Sequence, residues 1–200
     1  MVTISAHACS RPADLTFQVP AGSAAFAGSR SRSVPQHITV ALVRSVHAHG
    51  FSLMTGCAPG TDASFRSVLA QPEYARDSLI ACAFPSRARR LGTRSLAAVT
   101  VVPHGLTAGQ ALARRTVWMV RRASFLVLFP EHPHTGRWGP GSTLAFRTAA
   151  HNLTPTFVAA SAAPPDSLLY RIVPSQLFAT VTGFWTVPHP VFTGGPCDEV

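Results

Sequence analysis

Lysine is absent from this sequence and acidic residues are scarce: all 17 basic side chains are arginine, against 8 aspartates and glutamates. Without lysine no GxxxxGK[ST] phosphate loop is possible, and no GxSxG nucleophile elbow is present either. The four cysteines (Cys9, Cys57, Cys82, Cys197) are scattered without paired spacing. That spacing excludes a zinc knuckle and a secreted disulfide framework, and the cysteines read as reduced thiols. Long apolar runs are missing too, and the first residues, MVTISAHACSRPADL, lack both a basic start and an apolar core. Neither a membrane anchor nor a signal peptide is expected, and a cytoplasmic location is the default.

What is present suits one globular domain. The chain has 200 residues, 46% of them apolar, with a mean hydropathy of +0.21, enough for a full core but not for two domains. The formal net charge is +9. Arginine's planar fork suits phosphate recognition, so a polyanionic partner fits this balance. Codon bias in a GC-rich source would produce the same composition.

Apolar runs alternate with helix-like stretches, with glycine or proline at the joins. Residues 23 to 32, SAAFAGSRSR, read as a short strand ending in Gly28, Ser29 and Arg30. Pro35 opens a segment whose Ile38, Leu42, Val43 and Val46 share one helical face, with Gly50 as its stop. The plan repeats: FSLMT (51 to 55) as a strand, GCAPGTD as a turn, and a short helix from Ala63 to about Ala70. SLIACAF (78 to 84) is a further strand, followed by the arginine-rich PSRARRLGTR, and AAVTVV (97 to 102) reads as another strand or a strand extension. TAGQALARRTVWMVRRA (107 to 123) begins with a threonine cap and ends in basic residues, as a helix dipole prefers. FLVLFP (125 to 130), a glycine-rich turn, a helix over 141 to 152 and the strand PTFVAA (155 to 160) complete the pattern. Continuously apolar strands alternating with helices predict an α/β fold, Rossmann-like, with a mostly parallel sheet and helices on both faces. The expected divisions are an N-terminal extension (1–20), this domain (21–162), and a proline-rich C-terminal extension (163–200). Within the last, 177 to 187 would add an edge strand and the rest would be a tail.

Ligands of such sheets bind beyond the carboxyl ends of the strands, where three special loops should share one rim. Gly56 and Gly60 allow close backbone approach, and Asp62 is placed to cap the helix that follows. Cys57 reads as a small residue filling a tight turn; as a nucleophile it would need a base that the sequence does not put beside it. The cluster Glu131, His132 and His134 reads as solvated loop residues, and neither a metal nor an organic cofactor is expected.

The order AFAGSR, helix, MTGCAPGTD, helix, FLVLFP, GPGSTLAFRTAAHNLTPTFVA resembles the superfamily that contains the DNA-processing protein DprA (Smf) and the LOG phosphoribohydrolases. The resemblance covers about residues 23 to 160. It implies ligand contacts from Gly28, Ser29 and Arg30; from Gly56, Cys57, Ala58, Gly60 and Asp62; and from Gly139, Gly141, Ser142 and Thr143. Arg115 falls where the phosphoribohydrolases carry a nucleotide-contacting arginine. The chain departs from the hydrolase pattern where the catalytic glutamate belongs, since Ala145 and Phe146 stand there, and Ser124 replaces the acid commonly found before the third strand. Cleavage of an N-glycosidic bond calls for a carboxylate.

Three readings follow from this resemblance. The first is binding of a nucleotide or nucleotide-derived phosphorylated ligand at the rim. The second is DprA-like single-stranded DNA binding, with Arg30, Arg32, Arg87, Arg89, Arg90, Arg94 and Arg137 on phosphates and Trp138 as a stacking platform. The third is a phosphoribohydrolase with Arg115 and a displaced carboxylate, Glu131. Association into a homo-oligomer is compatible with each.

Overall fold

In a computed structural model, which describes residues 2–6, 15–19, 22–136, 138–178 and 180–189, the order of elements follows the predicted alternation. Strands β1 (Val2–Ala6) and β2 (Leu15–Val19) form a separate antiparallel pair. The remaining strands build one eight-stranded sheet, in the order β6-β5-β4-β3-β7-β8-β10-β9. Its six parallel members are β3 (Ser23–Gly28), β4 (Ser52–Gly56), β5 (Ser78–Cys82), β6 (Ala97–Thr100), β7 (Ala123–Phe129) and β8 (Thr156–Val158). The helices between them are α1 (Gln36–Ala48), α2 (Thr61–Leu69), α3 (Pro72–Ala75), α4 (Pro85–Leu91), α5 (Ala108–Arg122) and α6 (Pro140–His151).

Strand side chains alternate between faces, and β3 divides its residues accordingly. Ala24 and Phe26 join Leu42, Val43 and Val46 of α1 and Phe65 and Val68 of α2 on one side. Ala25 and Ala27 meet Met119 and Val120 of α5 and Ala145 and Ala149 of α6 on the other. Phe26 stacks on Phe65 at 4.3 Å between ring centroids. Alanines recur on the second face, among them Ala25, Ala27, Ala145 and Ala149. Each face therefore has its own helices, as the continuous apolar strands predict. Among the described residues no helix is long and apolar enough to cross a membrane.

The expected single edge strand is in fact a hairpin, β9 (Tyr170–Leu177) and β10 (Val181–Pro188), added antiparallel to β8. Pro174 hides β9 in the sequence, because proline disfavours strands. As the outermost strand, β9 needs no ladder donor on its free side, which is where proline is tolerated. The turn comes at Phe178, whose φ is 48°. The fully buried Trp185 of β10 anchors the hairpin against Phe125 and Phe157.

The threonine cap of α5 is a full capping box: the Thr107 hydroxyl accepts from the Gln110 amide, and the Gln110 side chain accepts from the Thr107 amide at 3.1 Å. Thr107→Ala is expected to cost about 1 kcal/mol, read as a lower urea midpoint with an unchanged slope.

Candidate functional site

β3 pairs with β4 on one side and β7 on the other. The chain leaving β3 runs to α1 on one face of the sheet, whereas the chain leaving β7 runs to α6 on the opposite face. Loops that part in this way open a crevice at the carboxyl end of the sheet. Here it is a cavity of about 430 Å³, bounded by the β3–α1 loop, the β4–α2 loop, one face of α5 and the start of α6. The three expected loops do meet. Gly28, Ser29, Arg30, Ala58, Asp62, Arg115, Glu131, Gly139, Gly141 and Ser142 all stand in its wall.

Tight backbone contacts bring the loops together. The Ser29 amide donates to Phe129 O at 2.9 Å, and the Thr61 amide to Ser29 O at 3.0 Å. Gly60 makes this fit: its φ is +69°, and a Cβ there would run into Ser29 O and the Arg30 carbonyl. Gly56 lies under the floor, where a side chain would strike the Arg115 guanidinium and the Asp62 carboxylate.

Asp62 differs from its expected role. Helix α2 begins at Thr61 with Gly60 as its cap residue, so Asp62 lies inside the first turn and caps nothing. Its Oδ2 instead accepts the Ala58 amide at 3.1 Å and pairs with Arg115 Nη1 at 3.1 Å. Both side chains are almost wholly buried, at 5% and 6% exposure. The Arg115 Nε–H is buried without a partner.

The carbonyls of the same loop are held from behind. Arg66 donates to Gly56 O at 2.9 Å and Ala58 O at 2.7 Å, and Arg87 to Cys57 O at 2.6 Å. Burial pushes the Arg66 pKa down, partly offset by Asp62, but guanidinium stays charged at any physiological pH. Nothing in the sequence marked Arg66, whose reach back to residues 56 and 58 depends on how the loop curls.

At the other wall, the start of α6 has free amides, as every helix start does. Its cap residue, Gly139, has no side chain to satisfy them. Ser142, 2% exposed, carries a buried hydroxyl with no hydrogen-bond partner. Across the mouth, the Ser31 hydroxyl donates to Glu131 Oε1 at 2.5 Å, and Ser29 and Ser31 hydroxyls lie 2.8 Å apart. This chain joins the first loop to the third.

Several expected contacts lie elsewhere. Cys57 faces a separate apolar cluster behind the loop. Thr143 turns back to donate to Trp138 O at 3.3 Å. Trp138 is no open platform: it packs edge-on against Phe146 at 4.9 Å, because the turn folds its ring onto α6. Arg87 is used on Cys57 O, and Arg32 donates to Pro130 O at 3.2 Å. Arg89, Arg90 and Arg94 are exposed but away from the cavity wall, and Arg137 lies outside the described residues. His134 bonds Ser161 at 2.6 Å. Leu112, Ala113 and Thr116 of α5 also line the cavity, which the sequence did not indicate.

No family model matches the sequence, and no curated protein is found similar to it. Solved structures do match. One is DNA processing protein A from Helicobacter pylori, described for its unique single-stranded DNA binding mode, with a TM-score of 0.51 and 17% identity over 75% of this chain and 67% of that one. Another is DprA from Streptococcus pneumoniae, with a TM-score of 0.53 and 15% identity over 74% of this chain and 52% of that one. At such identities the likeness establishes a shared architecture: this chain has a DprA-like, Rossmann-like α/β fold.

Proposed function

We propose that the cavity binds a phosphorylated nucleotide or nucleotide-derived ligand, with the phosphate at the start of α6 and against Arg115. The observation that carries this reading is Ser142, which lines the cavity and whose buried hydroxyl has no partner. A buried hydroxyl left unpaired costs free energy, and a ligand oxygen would remove that cost. Arg115, whose Nε–H is equally unpartnered, lines the same cavity. A helix start supplies further amides and a favourable dipole. A volume of about 430 Å³ is within the range of small-ligand sites.

Adenosine and guanosine monophosphates are expected to raise the melting temperature in a saturable way. Ser142→Ala should weaken that binding about tenfold, the loss of one hydrogen bond to a charged oxygen, without lowering the stability of the free protein. A flat response to every mononucleotide would refute the reading.

Single-stranded DNA binding is the second reading, favoured by the likeness to the Helicobacter pylori protein and by the surplus of arginine. The two separate by salt. A strand that neutralises several phosphates loses affinity steeply as ionic strength rises, and a mononucleotide with one phosphate contact does not.

A further inference from the structure

The proposed binding site uses neither of the two described thiols, although one adjoins its floor. β4 and β5 pair in parallel with Gly56 opposite Ala81, so the next residues, Cys57 and Cys82, lie level on adjoining chain segments. Neighbouring strands run about 4.8 Å apart, inside the roughly 4.4–6.8 Å between Cα atoms that a disulfide spans. Both thiols are free and fully buried in one cluster with Ile80, Ala83 and Leu96.

Their chemistry is unequal. The Cys57 sulfur accepts the Ala83 amide at 3.4 Å, with the Cys82 thiol and the Arg115 charge acting on it as well. These donors hold the Cys57 pKa below the ordinary thiol value, against the opposing effect of burial. Cys82, whose proton is engaged by Cys57, is pushed up. One sulfur is set to attack while the other keeps its proton.

We propose that Cys57 and Cys82 are a redox modification site, at which a hydroperoxide converts the two thiols into an intramolecular disulfide in the folded protein. The Cys57 thiolate attacks a peroxide oxygen, the O–O bond breaks, and the departing oxygen leaves as water or an alcohol after taking up a proton. Cys57 is then a sulfenic acid. The Cys82 sulfur attacks it, the S–S bond forms, the S–O bond breaks, and the proton of Cys82 leaves with hydroxide as water. Two thiols are oxidised and one peroxide is reduced. Ala58, the next residue in the chain, lines the cavity. The cross-link would tie the β4–α2 loop to the end of β5.

The test uses the full chain carrying Cys9→Ser and Cys197→Ser, so that Cys57 and Cys82 are the remaining cysteines. It is treated with hydrogen peroxide at neutral pH, with circular dichroism confirming that it stays folded. Expected are the loss of two hydrogen atoms from the intact mass, a linked Cys57–Cys82 peptide pair, and reversal by dithiothreitol. Adding Cys82→Ser should stop the reaction at a sulfenic acid trapped by dimedone, and adding Cys57→Ser should leave Cys82 a thiol. The proposal fails if the folded protein keeps both thiols at a peroxide dose that oxidises a free cysteine peptide, or if the link forms only in urea. The mapping in the parent chain decides the matter even where a further variant does not fold.

Discussion

Asp62→Ala is expected to destabilise the protein by about 3–5 kcal/mol, the cost of leaving one member of a buried ion pair without its counter-charge. The partner is Arg115, whose Nη1 lies 3.1 Å from Asp62 Oδ2 with both side chains no more than 6% exposed. A solvent-exposed pair of the same length would be worth about 1 kcal/mol or less, so burial decides the size of the effect. Alanine also removes the acceptor of the Ala58 amide. Asp62→Asn, which keeps an acceptor oxygen but not the charge, should fall between. Removing both charges, as Asp62→Leu with Arg115→Met, should restore most of the loss, because an apolar pair has no desolvation penalty to offset. Urea unfolding of the four proteins measures this directly. Single substitutions costing under about 1 kcal/mol would mean that water reaches the pair.

A comparable loss is expected for Gly60→Ala, about 2–6 kcal/mol, with Gly50→Ala as the comparison that lacks the close contact. Both glycines have positive φ, +69° and +79°, so a side chain is strained at either; Gly60, with ψ −128°, lies outside the left-handed helical region, where the strain is about 1–3 kcal/mol. Around Gly50 nothing lies within 4 Å of an added Cβ, whereas at Gly60 that Cβ meets backbone of Ser29 and Arg30. Backbone cannot swing away as a side-chain end can, so overpacking adds about 1–3 kcal/mol at Gly60 alone. The difference in denaturation midpoints should report that contact together with the extra backbone strain at Gly60. Equal losses at the two positions would show that the first and second loops do not press together as described. Gly60→Ala should also weaken any ligand held at the cavity, since it displaces Ser29 and Arg30, which line it.

The strands, helices and rim were legible because their signals are local. Phe26 and Val127 lie in unbroken apolar runs, Leu42, Val43 and Val46 repeat at helical spacing, and Thr107 reads as a helix cap. The hairpin β9–β10 was only half legible, because Pro174 argues against a strand until its place at the sheet edge is known. Trp138 and Arg87 read as surface contacts because aromatic and cationic side chains in polar segments usually are. Which carbonyl or ring they turn to depends on segments distant in the chain.

Residue order by itself determined the alternation of strand and helix, and with it a parallel sheet with a rim of glycine-bearing turns. Hydrophobic periodicity and the conformational freedom of glycine act within a few residues and need no partner. Only the tertiary structure decided that Asp62 would neutralise Arg115 rather than cap a helix, that Ser142 would be buried with its hydroxyl unused, and that Cys57 would lie against Cys82. Charge pairing, desolvation and thiol contact depend on distances between segments far apart in the chain, and those distances are set when the sheet brings β3, β4, β5 and β7 side by side.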